Sequence, residues 1–223
     1  MRKTIVFLHG GPGYPDYLQS IFKDQFPDFN TVFYTQSQLS FNKLMQELDE
    51  TILDNGWVYL VGHSFGATLA LEYLRQNPAS SVLKLVLISP CLSTEHFFAD
   101  YEGELAEREL HNPSLKDVFL SSSEMQLGAS LVAKLESQFN SVFFEKVRKD
   151  YLNKFDHLPL LKVLRLPILN IYGSEDVRVP ARLMRKLEGK NLRQLEIEGA
   201  GHFPFLREND LAQVSSAIKA HFN

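Results

Sequence analysis

Six short apolar runs recur along this chain, each separated from the next by a longer segment of different period. The runs cover residues 4–8, 31–35, 57–62, 83–89, 168–172 and 192–198. They have strand length, are mostly apolar, and are bounded by Gly, Pro or Asn. The segments between them have helical spacing. Residues 40–55 set Phe41, Leu44, Leu48 and Ile52 on one face behind a serine cap, and residues 65–76 and 208–222 read the same way. A strand apolar on both faces must be covered on both faces, and an intervening helix returns the chain to begin the next parallel strand. The expected fold class is therefore α/β, a mostly parallel six-stranded sheet flanked by helices.

One stretch breaks the alternation. Residues 93–156 contain no strand pattern and read as several short helices, with breaks near Pro113, at residues 121–123 and at Asn140. This stretch holds 12 acidic and 7 basic residues, more negative than the whole chain at −4. Its acids crowd at Asp100, Glu102, Glu104, Glu107 and Glu109. The reading is a helical lid inserted between the fourth and fifth strands, over the carboxyl ends where open α/β sheets bind ligands. Residues 1–92 and 159–223 would form the core and residues 93–158 the lid.

Composition removes several classes. A content of 44% hydrophobic and 22% charged residues suits a globular core that needs no staples. The single Cys91 excludes an internal disulfide, and no Cys/His spacing resembles a zinc site. Net charge −4 lends no support to nucleic-acid binding. The apolar runs are far shorter than the roughly 20 residues a bilayer demands. The first apolar run, residues 5–8, is below signal-peptide length and no small-residue cleavage site follows, so a cytoplasmic protein is expected.

The strongest chemical signal is Gly62-His63-Ser64-Phe65-Gly66, lying between the third strand and a helix. It fits the nucleophile elbow G-x-S-x-G, in which a strained turn lifts the serine Oγ above the sheet. Small residues at 62 and 66 allow strand and helix to approach, and the helix N-terminus favours developing negative charge. The plainer alternative is a glycine-rich turn with an incidental serine. A serine hydroxyl needs a base, and the base an orienting carboxylate. In chain order the acid comes next: Asp176 is favoured over Glu175, as the third residue after Gly173 with Pro180 able to open the following helix. Asp176 could instead serve an Asx turn or helix cap. His202, within Gly199-Ala200-Gly201-His202-Phe203-Pro204 after the last strand, is the candidate base, with a surface loop histidine as the plainer alternative.

His63 is expected to point away from Ser64 and be structural, with a tuning role open to it. His96, His111, His157 and His221 read as surface or lid residues. The oxyanion of an acyl-transfer intermediate needs two backbone N–H groups. Phe65 would supply one, and the loop His9-Gly10-Gly11-Pro12-Gly13 the other, with Gly11 first choice and Gly10 second, since Pro12 has no N–H. A phosphate loop is disfavoured because no Lys-Ser/Thr follows the glycines.

With these residues placed, the chain resembles α/β-hydrolase-fold proteins over nearly its whole length. More narrowly it resembles the proline iminopeptidase group, in the loop of residues 9–13 and in residues 62–73, the elbow with its helix. The resemblance implies Ser64, Asp176 and His202 as a triad, Gly11 and Phe65 as the oxyanion hole, and hydrolysis without metal or organic cofactor. Two departures stand out. Members of the group usually carry an antiparallel strand pair before the His-Gly-Gly-Pro-Gly loop, which here begins at residue 9. The 31–35 strand would then lie at a sheet edge, covered either by a partner chain, as in a homodimer, or by charged packing. The lid is also short. In that group the cap supplies acids for the substrate's free amine, a task the 100–109 acids could perform by pairing with an ammonium, or they could form a solvated helix face.

Phe97, Phe98, Tyr101, Phe119, Leu120, Phe139, Phe143 and Phe144 are expected to line an acyl pocket or fill the lid's own core. The expected activity is a serine hydrolase acting through an acyl-enzyme on a small ester, thioester or amide, with a small molecule or short peptide as substrate and an aminopeptidase-like activity among the options. The rivals are an esterase or thioesterase blind to amines, a carbon–carbon bond hydrolase, and a non-catalytic ligand-binding member of the fold.

Overall fold

The computed structural model describes residues 2–38, 40–108, 110 and 113–223, and of residues 95–101 the backbone alone. In chain order the first half runs β1 (Thr4–Leu8), α1 (Leu18–Phe22), β2 (Asn30–Tyr34), α2 (Phe41–Asn55), β3 (Val58–His63), α3 (Phe65–Gln76) and β4 (Val82–Ile88). Five helices follow: α4 (Thr94–Glu107), α5 (Leu115–Phe119), α6 (Met125–Ser137), α7 (Ser141–Val147) and α8 (Leu158–Val163). The chain then closes with β5 (Ile168–Gly173), α9 (Ala181–Met184), β6 (Leu192–Ile197) and α10 (Glu208–Phe222).

The six strands form one sheet in the order β2-β1-β3-β4-β5-β6, and every neighbouring pair is parallel. Strand periodicity explains its two cores. In β1, Val6 and Leu8 join one apolar cluster with Leu44, Leu48 and Ile52 of α2 and Leu69 of α3. Ile5 and Phe7 join the other, with Leu18 and Phe22 of α1 and Val214, Ile218 and Phe222 of α10. Each such side chain, once buried, contributes about 1.5–3 kcal/mol, so a sheet covered on both faces is the stable solution. β2 lies at the edge, as expected. Trp57 lies outside the strand assigned to it: β3 begins at Val58, and Trp57 is 66% exposed beyond the positive-φ turn at Gly56.

β1 and β3 are neighbours whose connections leave in opposite directions, toward β2 and β4 respectively. A crevice opens at such a switch point, outside the carboxyl ends of the strands. The loop after β1 and the elbow after β3 meet there.

The helical insertion between β4 and β5 starts and ends at an antiparallel bridge, Ser93 to Asp156. Its internal breaks follow local chemistry. Ser114, just after Pro113, forms a capping box with Asp117 at the start of α5, and Asn140 Oδ1 accepts the Phe143 N–H at the start of α7. α7 runs on into a wider π-type turn, Arg148–Leu152. Among the described residues, no helix is long and apolar enough to cross a membrane.

Candidate active site

Ser64 joins β3 to α3 with φ +52° and ψ −117°, a left-handed conformation that a residue with a side chain rarely adopts. Two glycines make the turn possible. A Cβ on Gly62 would lie 2.6 Å from the backbone of Gly66 and Ala67, and one on Gly66 would lie 2.0 Å from the Leu8 carbonyl oxygen. Ser64 N–H donates to the Ile88 carbonyl at 2.8 Å, fixing the elbow to β4.

The His202 Nε2 lies 3.0 Å from Ser64 Oγ, and its Nδ1 lies 2.9 Å from Asp176 Oδ2. A carboxylate only accepts, so Nδ1–H donates to Asp176 and the bare Nε2 faces the serine hydroxyl. The other Asp176 oxygen accepts the Val179 N–H at 2.8 Å. His202 and Asp176 are both buried, and the Phe119 ring stacks on the His202 imidazole with centroids 5.3 Å apart. The structure thus brings Ser64, His202 and Asp176 into one hydrogen-bonded line.

The oxyanion candidates separate by what their N–H groups already do. Gly10 N–H donates to the Tyr17 hydroxyl oxygen at 2.9 Å, which removes the second-choice donor. Among the described residues, Gly11 N–H and Phe65 N–H have no protein acceptor. Gly11 holds φ +62°, and the Tyr14 ring fills the space where its Cβ would be.

His63 is more engaged than the sequence suggests. Its Nε2 lies 2.8 Å from the His202 carbonyl oxygen, and its Nδ1 meets the Tyr17 hydroxyl. A carbonyl only accepts, so Nε2 carries the proton and Tyr17 O–H donates to Nδ1. Burial pushes the His63 pKa well below its ordinary range, keeping the ring neutral. A single directed chain therefore runs from Gly10 N–H through Tyr17 and His63 to the backbone of His202.

His157, expected at the surface or on the lid, lies in the 93–158 stretch and is buried there. By the same logic its Nε2–H donates to the Tyr151 hydroxyl at 2.7 Å, whose proton goes to Glu72 at 3.2 Å. Burial pushes the His157 pKa down to about 4. His221 is half-buried near the end of α10, and the side chain of His96 and all of His111 lie outside the described residues.

Above Ser64 is a cavity of about 570 Å³. Phe119, Phe139 and Phe144 line it, together with Tyr14, Leu135 and Phe155. Of the residues expected either to line a pocket or to fill a core, Leu120 and Phe143 are buried in the two apolar clusters. The side chains of Phe97, Phe98 and Tyr101 lie outside the described residues. So do that of Asp100 and all of Glu109.

The 100–109 acids have two options, pairing with a substrate amine or forming a solvated helix face, and those described do not face the cavity. Glu104 bonds Arg108 at 2.6 Å and pairs with Arg182, which Glu107 also approaches at 3.5 Å. Among the described residues, Glu102, Glu104 and Glu107 do not line the cavity, and its charged lining residues are Glu136, Arg148 and Arg178. Cys91 lines it too, but burial pushes its thiol up to about 12, far from a thiolate nucleophile.

Several participants carry no signal in the local sequence. Tyr17 lies within an ordinary loop-to-helix segment. The Phe119 carbonyl accepts the His202 N–H at 2.9 Å, and the Glu124 carboxylate accepts the Gly201 N–H at 2.8 Å. Each partner is about 80 residues away in the chain.

A parallel sheet with a strained serine elbow at its switch point, followed in order by an acid and a histidine, defines an α/β hydrolase. The chain belongs to the alpha/beta hydrolase family, whose model matches residues 5–215. It is 24% identical to "Probable aminopeptidase YbaC" of Bacillus subtilis (strain 168), over 93% of this chain and 85% of that protein. It is 30% identical to a "Proline iminopeptidase" of Heyndrickxia coagulans, over 48% of this chain and 41% of that one. Among solved structures it resembles a proline iminopeptidase-related protein from Thermus thermophilus, with a TM-score of 0.79 at 19% identity over 99% and 89% of the two chains. It also resembles a thermophilic esterase from Thermogutta terrifontis, with a TM-score of 0.73 at 15% identity over 98% and 88% of the two chains. At these identities the solved structures share the fold. The resemblance to proline iminopeptidases holds, and hydrolase is the class.

Proposed function

We propose that this hydrolase uses Ser64 as its nucleophile and cleaves a small ester, thioester or amide whose acyl group is apolar. The observation that carries the reading is the Ser64–His202–Asp176 line at the floor of the aromatic cavity. His202 Nε2 takes the Ser64 proton as Oγ bonds to the substrate carbonyl carbon. Asp176 holds the Nδ1–H tautomer and stabilises the imidazolium. Gly11 and Phe65 N–H groups receive the oxyanion. Collapse of the intermediate breaks the bond to the leaving group, which receives the proton from Nε2. Water then attacks the acyl-enzyme, with His202 again as base, and Ser64 is regenerated. Residues 93–158 act as the lid that supplies the acyl pocket.

A second reading is an aminopeptidase-like activity, favoured by Glu136 on the cavity wall, where it could meet a substrate ammonium. Labelling with a fluorophosphonate, wild type against Ser64→Ala, tests the nucleophile. Turnover of paired acyl-ester and aminoacyl-arylamide substrates separates the two specificities. Ester cleavage unaffected by a free amine supports the first reading, and a preference for the amine that is lost in Glu136→Gln supports the second. A folded wild type that takes no label and turns over neither substrate would shift the reading to a ligand-binding member or a carbon–carbon bond hydrolase. Pairing of two copies along the open edge of β2 is a separate part of this proposal, and a monomeric mass by light scattering would exclude it.

A further inference from the structure

We infer that Glu124 is a positioning residue for His202, holding the backbone just before the imidazole against the corner between α5 and α6. The inference rests on the reading of His202 as the base. Glu124 occupies the N-cap position of α6, yet its side chain does not cap that helix. Its carboxylate turns back instead. One oxygen, Oε2, accepts the Ser121 N–H at 2.9 Å and the Gly201 N–H at 2.8 Å. The other, Oε1, is buried with no hydrogen-bond partner among the described residues.

A fully buried carboxylate with half its acceptor capacity unmet is an expensive way to hold two amides. Its distinguishing property is reach: one oxygen gathers the N–H groups of two segments, Ser121 and Gly201, at a point no backbone carbonyl occupies. That clamp acts one residue from the imidazole. The neighbouring geometry agrees. A Cβ on Gly201 would lie 2.7 Å from Ser121 N, 2.8 Å from Glu124 Oε2 and 2.8 Å from the Phe119 carbonyl oxygen. The corner is therefore pressed directly onto the loop. Further bonds tie the same two pieces: His202 N–H to Phe119, and the Ser121 and Ser123 hydroxyls to the Gly199 carbonyl at 2.7 and 3.0 Å. The insertion is built into the histidine loop at this corner, so any opening that admits substrate takes place elsewhere along its length.

Position matters because Nε2 must stay within hydrogen-bond reach of Oγ, and a 1 Å misplacement of a reacting group is worth roughly 100-fold in rate. The test is a series at one site: Glu124→Gln keeps an acceptor in place without charge, Glu124→Asp keeps charge but shortens the reach, and Glu124→Ala removes both. Steady-state kinetics on an acyl ester, fluorophosphonate labelling rates and thermal melts are measured for each at a temperature where the variant is folded. Expected is a fall in kcat of roughly 10- to 100-fold for Asp and Ala, with KM within about twofold of wild type and most activity retained in Gln. Should Glu124→Ala fail to fold, Asp and Gln carry the comparison. Folded Asp or Ala variants with wild-type kcat would overturn the inference, as would a loss confined to KM or a Gln variant as impaired as Asp. Wild-type labelling that survives His202→Ala would overturn the base reading instead, so the two failures are distinguishable.

Discussion

Ser64 and His202 face each other across 3.0 Å, yet they reach that position by opposite means. Ser64 is set mainly by its own neighbours, with one N–H bond to Ile88 of the adjacent strand. Five consecutive residues make the turn, two glycines give it room, and the strand before and helix after hold it. His202 sits in a loop held from separate parts of the chain: by Asp176, by His63 in the elbow, and by Phe119 and Glu124 in the helical insertion. The proposed nucleophile is a local device and the proposed base a tertiary one. A strained turn needs rigid flanks and little else. A loop has no intrinsic conformation, so its precision comes from whatever packs against it.

The largest test of this contrast removes the chemistry from each side. Ser64→Ala should leave the fold unchanged and lower turnover toward roughly a million-fold, read by steady-state kinetics and circular dichroism. Wild-type rates in that folded variant would end the assignment. Asp176→Asn should keep the geometry but favour the wrong His202 tautomer, lowering kcat by about 10,000-fold.

A paired glycine experiment sharpens the contrast further. Gly62→Ala and Gly201→Ala each force a Cβ into backbone, and each should cost about 1–3 kcal/mol of stability. Hydrogen exchange should distinguish them. For Gly62→Ala the loss of protection should be confined to the elbow. For Gly201→Ala it should also appear in residues 119–124, and kcat should fall roughly 10- to 100-fold. Protection unchanged at 119–124 would break the claim that the histidine side is held at long range.

Tyr17→Phe is a smaller perturbation of the same kind. It leaves Gly10 N–H and His63 Nδ1 without partners, at a cost of about 1–3 kcal/mol in thermal or denaturant unfolding. The last expected effect is graded with pH, absent well above 6.5 and growing as pH falls. His63 and His157 are neutral in the fold because burial lowers their pKa, whereas in the unfolded chain they titrate near 6.5. Below pH about 6.5 the unfolded state therefore binds more protons, and each histidine lowers stability by about 1.4 kcal/mol per pH unit. For His157 this continues down to about 4, where the folded form titrates too. Above 6.5 neither contributes a slope. Melting temperatures that stay level from pH 8 to pH 5 would contradict the buried neutral state.

By itself, the sequence determined the parts governed by short-range physics. Strand and helix periods repeat every two or 3.6 residues, so the six strands, α2, α3 and α10 were legible to within a few residues. The elbow was legible because its strain and its glycines lie within five positions. Chain order then singled out Asp176 and His202, each marked by turn residues at a strand end. Trp57 was misplaced because an aromatic residue next to a strand has the composition of a strand residue without its hydrogen bonds. Only the tertiary structure decided that the Gly10 N–H is already taken by Tyr17, that His63 braces the His202 backbone, and that Glu104 faces arginines rather than the cavity. The role of Glu124 belongs with these. Each depends on which donor meets which acceptor across tens of residues, and no local pattern encodes that. Hydrogen bonds between distant segments form only once the sheet and its two apolar layers have brought those segments together.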